Sequence, residues 1–385
     1  MDRRPDLTTA ARLADPPSAP LAPHTADSVP VEHAIFTSTR SHTGEGYRFI
    51  ASSPGVRPED KRLLLPRMPS DGGLCDPEPA AQALAFFGVG ERLCLAWSLY
   101  AGREHTARGG QRVFTRVALL HPKDSWAFDH DPFRIRDALE DAVGAQPDLA
   151  PDPRPEALEL TARAARGAGP ISPADGARAA MLLDALCDQR ASVCASPLDR
   201  ETLVRAAWRA VPMRRRAAIT FSLGWQWSRA RDVHVTLARE PLSERRQTQA
   251  QGARMLTWDE PVLCCPADFL PWRQLALRLW SSERWDELAR LAQGVDRDAS
   301  FAALTAIAAL HRDLPAALGA DEARLARIER SHLSAPPANR SAVELQQRLR
   351  DAIAARRAEL AEIAEREQAA RENEAERIQA SSAGG

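Results

Sequence analysis

Apolar and polar residues alternate with a period of two in two separate parts of the sequence, and a helical block lies between them. The first part begins at Val31, and its clearest segment is 92–100, where Leu93, Leu95 and Trp97 share one side. The second part begins near Ile219. Alternation is typical of strands, and successive segments follow at hairpin spacing. The pattern predicts an α+β fold with an N-terminal antiparallel sheet.

The chain divides into five segments of different composition. Residues 1–30 are rich in Pro, Ala and Ser without periodicity and are predicted to be disordered. Residues 31–148 form a predicted β-rich N-terminal domain, and 149–265 a middle domain of helices followed by strands. Residues 266–333 form a helical region. Residues 341–380, rich in Ala, Glu and Arg, are predicted to form a long charged helix that ends a helical C-terminal extension.

Two helix starts in the middle domain carry the same signature. The segments 172–175 and 196–199 each place Ser at the N-cap, Pro at the first helical position and Asp at the third. The Ser oxygen can accept an unpaired backbone N–H, and the Asp charge suits the positive end of the helix. The second helix is predicted to end before Pro212.

The long helix 341–380 has an incomplete apolar stripe. The stripe consists of Leu349, Ile353, Leu360 and Ile363. Its next two positions are Glu367 and Glu374, which are unfavourable in the core of a coiled coil. A single solvated helix is therefore favoured, and a weak coiled coil is the alternative.

Composition excludes several classes of function. The formal net charge of −1 gives no overall field that would attract nucleic acid or an anionic membrane. No stretch of about 18 apolar residues predicts a membrane-spanning helix. The first residues lack the apolar core of a secretory signal, so we expect a cytoplasmic protein with reduced thiols.

Motifs of catalysis, nucleotide binding or metal binding are absent from the sequence. There is no phosphate-binding loop, and no cysteine has a partner at zinc-ligand spacing. The triplet 129–131 (DHD) is interpreted as a solvated turn rather than a metal site. The run 214–216 (RRR) is interpreted as an exposed strand entry, with an anion contact as the alternative. We expect no catalytic residue, no metal and no cofactor.

Two glycine-rich loops and one Trp/Arg segment are the candidate interaction surfaces. The loops 40–46 and 101–111 each join two predicted strands, and we expect them to lie together at one end of the N-terminal sheet. Simple flexible hairpin ends are the alternative. The segment 224–231 combines the residue types that anchor interfaces, although its tryptophans could instead be core residues. The candidate residues are Thr37, Arg40, Gly44, Gly46, Tyr47, Arg103, Gly109, Arg112, Trp225, Trp227 and Arg229.

Several motifs follow one another in the order of a known family. The first runs from HAIFTS at 33–38 through GEGYR at 44–48 to ASSPG at 51–55. It resembles the opening of the GTPase-associated proteins of bacterial conflict systems, which has a strand with a Thr-Ser pair and a Gly-x-Gly-Tyr turn. RGGQ at 108–111 and RRRAAITFSLG at 214–224 are similar to later parts of that family. LPW at 270–272 and RWDEL at 284–288 resemble its C-terminal helical region.

The resemblance implies a bacterial protein encoded beside a predicted GTPase. It implies a non-catalytic adaptor or regulator that binds that GTPase or an effector in a nucleotide-dependent defence system. The balance of acidic and basic residues argues separately against nucleic acid and membrane as partners. An enzyme of unrecognised type, with its site at the loops around Thr37, Tyr47 and Arg103, is one alternative. A scaffold that assembles through the helix 341–380 is another.

Overall fold

A computed structural model describes most of the chain between Ser28 and Ala383. The chain forms two compact units, Met1–Cys265 and Pro266–Gly385. The structure describes residues 28–41, 44–76, 78, 81–104, 110–147, 156–163, 171–188, 191–195, 200–231, 233–238, 249, 252–257, 266–295 and 300–383.

The first unit contains a mixed β-sheet and several helices. The strands are β1 Ser28–Ser41, β2 Gly44–Ser52, β3 Gln82–Val89, β4 Arg92–Arg103, β5 Gln111–Leu120, β6 Leu158–Thr161, β7 Ser192–Ala195, β8 Phe221–Leu223, β9 Val235–Ala238 and β10 Arg254–Leu256. The helices are α1 Pro58–Leu64, α2 Pro132–Val143, α3 Pro173–Cys187, α4 Arg200–Ala210 and α5 Met213–Arg216. The predicted α+β class is confirmed.

The strands of the predicted N-terminal and middle domains form one sheet. Its order is β10-β7-β9-β8-β3-β4-β5-β1-β2, and β6 pairs with the start of β1. The neighbours from β8 to β2 are antiparallel, whereas β10, β7, β9 and β8 are parallel. β3 and β8 join the two parts, since Leu84 pairs with Leu223 and Phe86 with Phe221. The sheet is thus continuous across the predicted boundary at 148/149.

Both faces of the central strands are covered. On one face, Trp208 of α4 contacts Phe86 and Phe221, with ring centroids 6.0 and 5.4 Å apart. On the other face, α1 and the turn after it bury Leu64 and Met68 in a core that includes Phe87. In β4, the large apolar side chains point to the first face, and small or hydroxyl-bearing ones, such as Ser98, point to the second face. The second face therefore has room for α1 and the turn after it.

The helix signals of the middle domain are confirmed wherever the structure describes them. The Ser172 hydroxyl accepts the Asp175 N–H and caps α3. The hydrogen bond from Ser172 lowers the pKa of Asp175, an effect that burial opposes and Arg178 reinforces. α4 ends at Ala210, before Pro212. The second cap, 196–199, lies outside the described residues.

The structure contradicts three predictions: disorder at residues 28–30, exposure of the run 214–216 and a solvated turn at 129–131. Residues 28–30 belong to β1, where the buried Val29 pairs with Leu160, while 1–27 lie outside the described residues. Arg216 is buried and donates to the carbonyls of Val211 and Asp129 at 2.9 and 3.1 Å.

The triplet 129–131 is a buried corner and not a solvated turn. His130 is 1% exposed, and its carbonyl accepts the Trp208 indole N–H at 3.2 Å. Burial, together with the charge of Arg216, lowers the pKa of His130 to about 3. Asp131 caps α2 by accepting the N–H groups of Phe133 and Arg134.

The second unit is helical. Its helices are α6 Leu270–Ser281, α7 Trp285–Gln293, α8 Phe301–Ala317, α9 Glu322–His332 and α10 Arg340–Ala383. The first half of α10 packs against α7, α8 and α9, and residues 361–379 are exposed at every position. No helix in the described part of the chain is both long enough and apolar enough to cross a bilayer.

Candidate functional site

The strand directions bring all three sequence-predicted segments to one end of the sheet. β1 ends and β2 begins at the same end as the β4–β5 hairpin, because β1 is antiparallel to both β2 and β5. β8 also ends there, since its last residue, Leu223, pairs with Leu84 near the start of β3. We call this end, with the segments 40–46, 103–111 and 224–231, the loop edge. Residues 42–43 and 105–109 of these segments lie outside the described residues.

The parallel strands end at the loop edge as well. β7, β9 and β10 run in the same direction as β8, so their carboxyl ends lie beside it. In open sheets with parallel strands, binding sites form outside the carboxyl ends, where loops are free to vary. The topology therefore favours a binding function at this end.

A buried carboxylate connects the two hairpins of the loop edge. Glu104, 7% exposed, accepts a hydrogen bond from the Ser38 hydroxyl at 2.5 Å and one from the Tyr47 hydroxyl. The Tyr47 oxygen also accepts the Val113 N–H at 3.1 Å. These bonds join β1, β2, β5 and the segment after β4, so both hairpin ends rest on a common rigid base.

Both tyrosines of the chain, Tyr47 and Tyr100, contribute to this end. Burial raises the pKa of Tyr47, and the hydrogen bond and charge of Glu104 and the charge of Asp71 raise it further against the opposing Val113 N–H. Burial also raises the pKa of Tyr100, with contributions from Cys75, Asp76 and Asp71. Both phenols stay protonated at neutral pH, and the Tyr47 hydroxyl donates to Glu104.

A turn at 70–73 packs beside the β4–β5 hairpin. A Cβ atom on Gly110 would lie 2.8 Å from Oδ1 of Asp71, and the φ of Gly110 is +117°. The same turn reaches the third segment, since the Gln226 N–H donates to the Gly73 carbonyl at 2.9 Å. The turn therefore connects the hairpin side of the loop edge to the Trp/Arg side.

Two of the candidate interaction residues are core residues, and for Trp225 the sequence had left this alternative open. Trp225 is fully buried, and its indole N–H donates to the Ser98 hydroxyl at 3.2 Å. The Arg231 guanidinium lies 5.3 Å from the Trp225 ring, and burial lowers the pKa of Arg231 to about 10. Thr37 is 1% exposed, and its hydroxyl donates to the Val113 carbonyl inside the sheet. Neither Thr37 nor Trp225 can contact a partner directly.

The remaining predicted residues differ in how accessible they are. Trp227 is half-buried against a cluster that includes Val193 and Ala253. Arg112 is half-buried and donates to the Ala101 carbonyl at 2.6 and 3.0 Å. Gly44 and Gly46 belong to β2, opposite Ser41 and Thr39. Gly109 lies outside the described residues.

Three predicted residues are exposed arginines. Arg40 pairs with Glu45 at 2.8 Å and leaves 74% of its side chain exposed. Arg103 and Arg229 are exposed as well. We call Arg40, Arg103 and Arg229 the arginine rim.

Sequence reasoning missed Ser38, Asp71 and Glu104. Glu104 lies in a charged, glycine-rich loop, and nothing in the local pattern marks it as the residue that turns inward. The sequence offered one signal for this site: the chain has two tyrosines, and both Tyr47 and Tyr100 lie at this end of the sheet. Within the described residues, no three His, Cys, Asp or Glu side chains converge closely enough to hold a metal ion.

The sequence matches a known family over part of its length. Residues 30–159 match the family model described as GTPase-associated protein 1, N-terminal domain type 2. The matched segment includes Tyr47, Glu104 and two of the three rim arginines. No curated protein and no solved structure matches the chain. The resemblance inferred from the motifs at 33–55 and 108–111 is confirmed, since both lie within the matched residues 30–159, whereas the motifs at 214–224, 270–272 and 284–288 lie outside them.

Proposed function

We propose that the protein is a non-catalytic, cytoplasmic adaptor or regulator that binds a GTPase or effector encoded nearby in a bacterial conflict system. The observation that carries the proposal is the family match over residues 30–159, which indicates association with a GTPase. The arginine rim is the contact surface in this proposal, since it combines exposed cations with a rigid base.

The physical character of the rim suits an acidic protein surface. Arginine is enriched at interfaces because its planar group forms several hydrogen bonds to carboxylates. Tyr47 and Glu104 hold the β1–β2 and β4–β5 hairpins together, so Arg40 and Arg103 lose little backbone freedom on binding. Exposed charges also accelerate encounter with a partner of opposite charge.

The test is the affinity of the purified chain for the GTPase encoded by the neighbouring gene. The variant Arg40→Ala/Arg103→Ala should bind at least about tenfold more weakly, since interface arginines often contribute more than about 1 kcal/mol each. The matched control is Arg62→Ala/Arg163→Ala, which removes two exposed arginines elsewhere on the same unit. Unchanged affinity in the rim variant, or equal loss in the control, would contradict the proposal.

A second candidate is an enzymatic or ligand-binding role at the base of the loop edge. The convergence of Ser38, Tyr47 and Glu104 favours it, because three polar side chains from different strands meet in a buried place. Tyr47→Phe keeps the ring and removes only the hydroxyl. For this candidate the variant should lose defence activity in the host and keep GTPase binding. If it keeps both, the second candidate fails.

A further inference from the structure

The outer half of α10 exposes the continuation of a face that its inner half buries. In the inner half, Leu345, Leu349 and Ile353 are at most 3% exposed, and they pack inside the helical unit. An α-helix returns to the same face every 3.6 residues. Continued outward, this face carries Leu360, Ile363, Glu367, Glu374 and Ile378. We call these five residues the outer face.

The outer face is open and already helical. Ile363 and Ile378 are 39% and 61% exposed. Residues 361–379 extend over about 28 Å at 1.5 Å per residue. Ion pairs one turn apart, Glu362–Arg366 at 3.2 Å and Glu367–Arg371 at 3.6 Å, support the helix from within.

The net negative charge of this segment indicates the charge of the partner that it can bind. Residues 361–379 contain six glutamates and three arginines, so negative charge is in excess. Glu367 and Glu374 lie in the middle of the outer face, seven residues and about 10 Å apart. An apolar partner helix would bury both carboxylates with only the Glu367–Arg371 pair, at 3.6 Å, to offset the cost of desolvation. A partner with cations at matching positions would pair with them.

A second copy of this chain is a poor occupant. A parallel, in-register pair places each glutamate opposite itself. The antiparallel register that joins Ile363 to Ile378 places Glu367 opposite Glu374. Like charges in the core of a helix pair are unfavourable and determine which helices associate.

We propose that the outer face binds a basic amphipathic helix of a different protein. Lys or Arg side chains seven residues apart on that helix would lie opposite Glu367 and Glu374. Its apolar side chains would cover Leu360, Ile363 and Ile378. This surface differs in charge from the arginine rim, so each can be tested without the other.

The experiment measures binding of two synthetic helical peptides to the full chain by fluorescence anisotropy. The peptides have 21 residues, about six turns, with Leu at the apolar heptad positions. They differ only at two positions seven residues apart, which are Lys in one and Glu in the other. The Lys peptide should bind about tenfold more tightly or better. In the variant Glu367→Lys/Glu374→Lys the preference should reverse.

A matched control is present in the same helix. Glu365 and Glu372 are also seven residues apart but lie on the opposite side, and Glu365→Lys/Glu372→Lys makes the same change of net charge. This control should keep the preference for the Lys peptide. Equal binding of both peptides, no binding of either, or reversal in the control would overturn the proposal. A wild-type dimer that Ile363→Asp dissociates would overturn it too, because the occupant would then be a second copy.

Discussion

The loop edge and the outer half of α10 differ in the range of the contacts that shape them. At the loop edge, Ser38 bonds Glu104 and Tyr47 bonds Val113, each across 66 residues of sequence. In residues 361–379, the ion pairs Glu362–Arg366 and Glu367–Arg371 span four residues. The first region therefore depends on the whole sheet, whereas the second forms wherever its own sequence favours a helix. Substitutions should consequently have large effects in the first region and small ones in the second.

The largest effect is expected from Trp225→Ala. This side chain is fully buried under the loop edge and bonded to Ser98, and replacing a buried Trp by Ala costs about 3–5 kcal/mol. Urea denaturation followed by far-UV circular dichroism measures the loss. The half-buried Trp227→Ala should cost clearly less, and equal losses would contradict the assignment of Trp225 to the core.

The second effect is a loss of stability in mild acid. Burial, with the charge of Arg116, lowers the pKa of His33 to about 4, against about 6.5 in an unfolded chain. Between these values the unfolded state binds more protons. The contribution is therefore complete above about pH 6.5 and decreases as the pH falls towards 4, by up to about 1.4 kcal/mol per pH unit.

The measurement is the unfolding free energy at several pH values between 4 and 7. His33→Gln should reduce the slope. His121→Gln, which changes an exposed histidine, is the matched control. A slope that is equal in wild type and His33→Gln would show that His33 titrates normally.

A pair of glycines separates backbone strain from packing. Gly224 and Gly102 have φ values of +81° and +83°. A Cβ on Gly224 would lie 3.1 Å from Cβ of Ala83 and 3.2 Å from the Gln82 carbonyl, whereas a Cβ on Gly102 would meet nothing within 4 Å. Gly102→Ala should cost about 1 kcal/mol from the left-handed backbone alone, and Gly224→Ala should cost more. Melting temperatures would show the order, and equal values would refute it.

The smallest effect is expected in the outer half of α10. Glu362→Ala removes one exposed pair with Arg366 and should change the unfolding free energy by about 0.3–0.5 kcal/mol or less. A loss above about 1 kcal/mol, measured by thermal denaturation, would mean that this segment depends on more than its local pairs. The comparison with the loop edge would then fail.

The same difference in range explains which features the sequence could predict. The alternation in 92–100 predicts a strand because the signal is local, and Ser172 predicts the start of α3 because a cap involves only neighbouring residues. The pairing of β3 with β8 joins Leu84 to Leu223, and no local pattern marks these as partners. The sequence therefore shows two groups of strands but not the single sheet.

The candidate site was predicted in part for the same reason. Glycines and exposed arginines mark the hairpin ends by composition, so Arg40 and Arg103 could be selected. The inward turn of Glu104 depends on Ser38 and Tyr47, which reach it only after the sheet has formed. Thr37 and Trp225 were candidate interaction residues, with a core position left open for Trp225, because the sequence does not show that their polar atoms bond inside the sheet.

The junction of β3 and β8 bears on where this protein can be cut. The family match stops at residue 159, but β3 pairs beyond that point with β8. A fragment 30–159 would leave the edge of β3 open at Leu84–Phe86, in a strand whose residues from Ala83 to Phe87 are all buried in the full chain. An open, apolar strand edge promotes aggregation. Expression fragments should therefore extend through β9 and β10, and a protein that carries such a domain alone needs another cover for this edge.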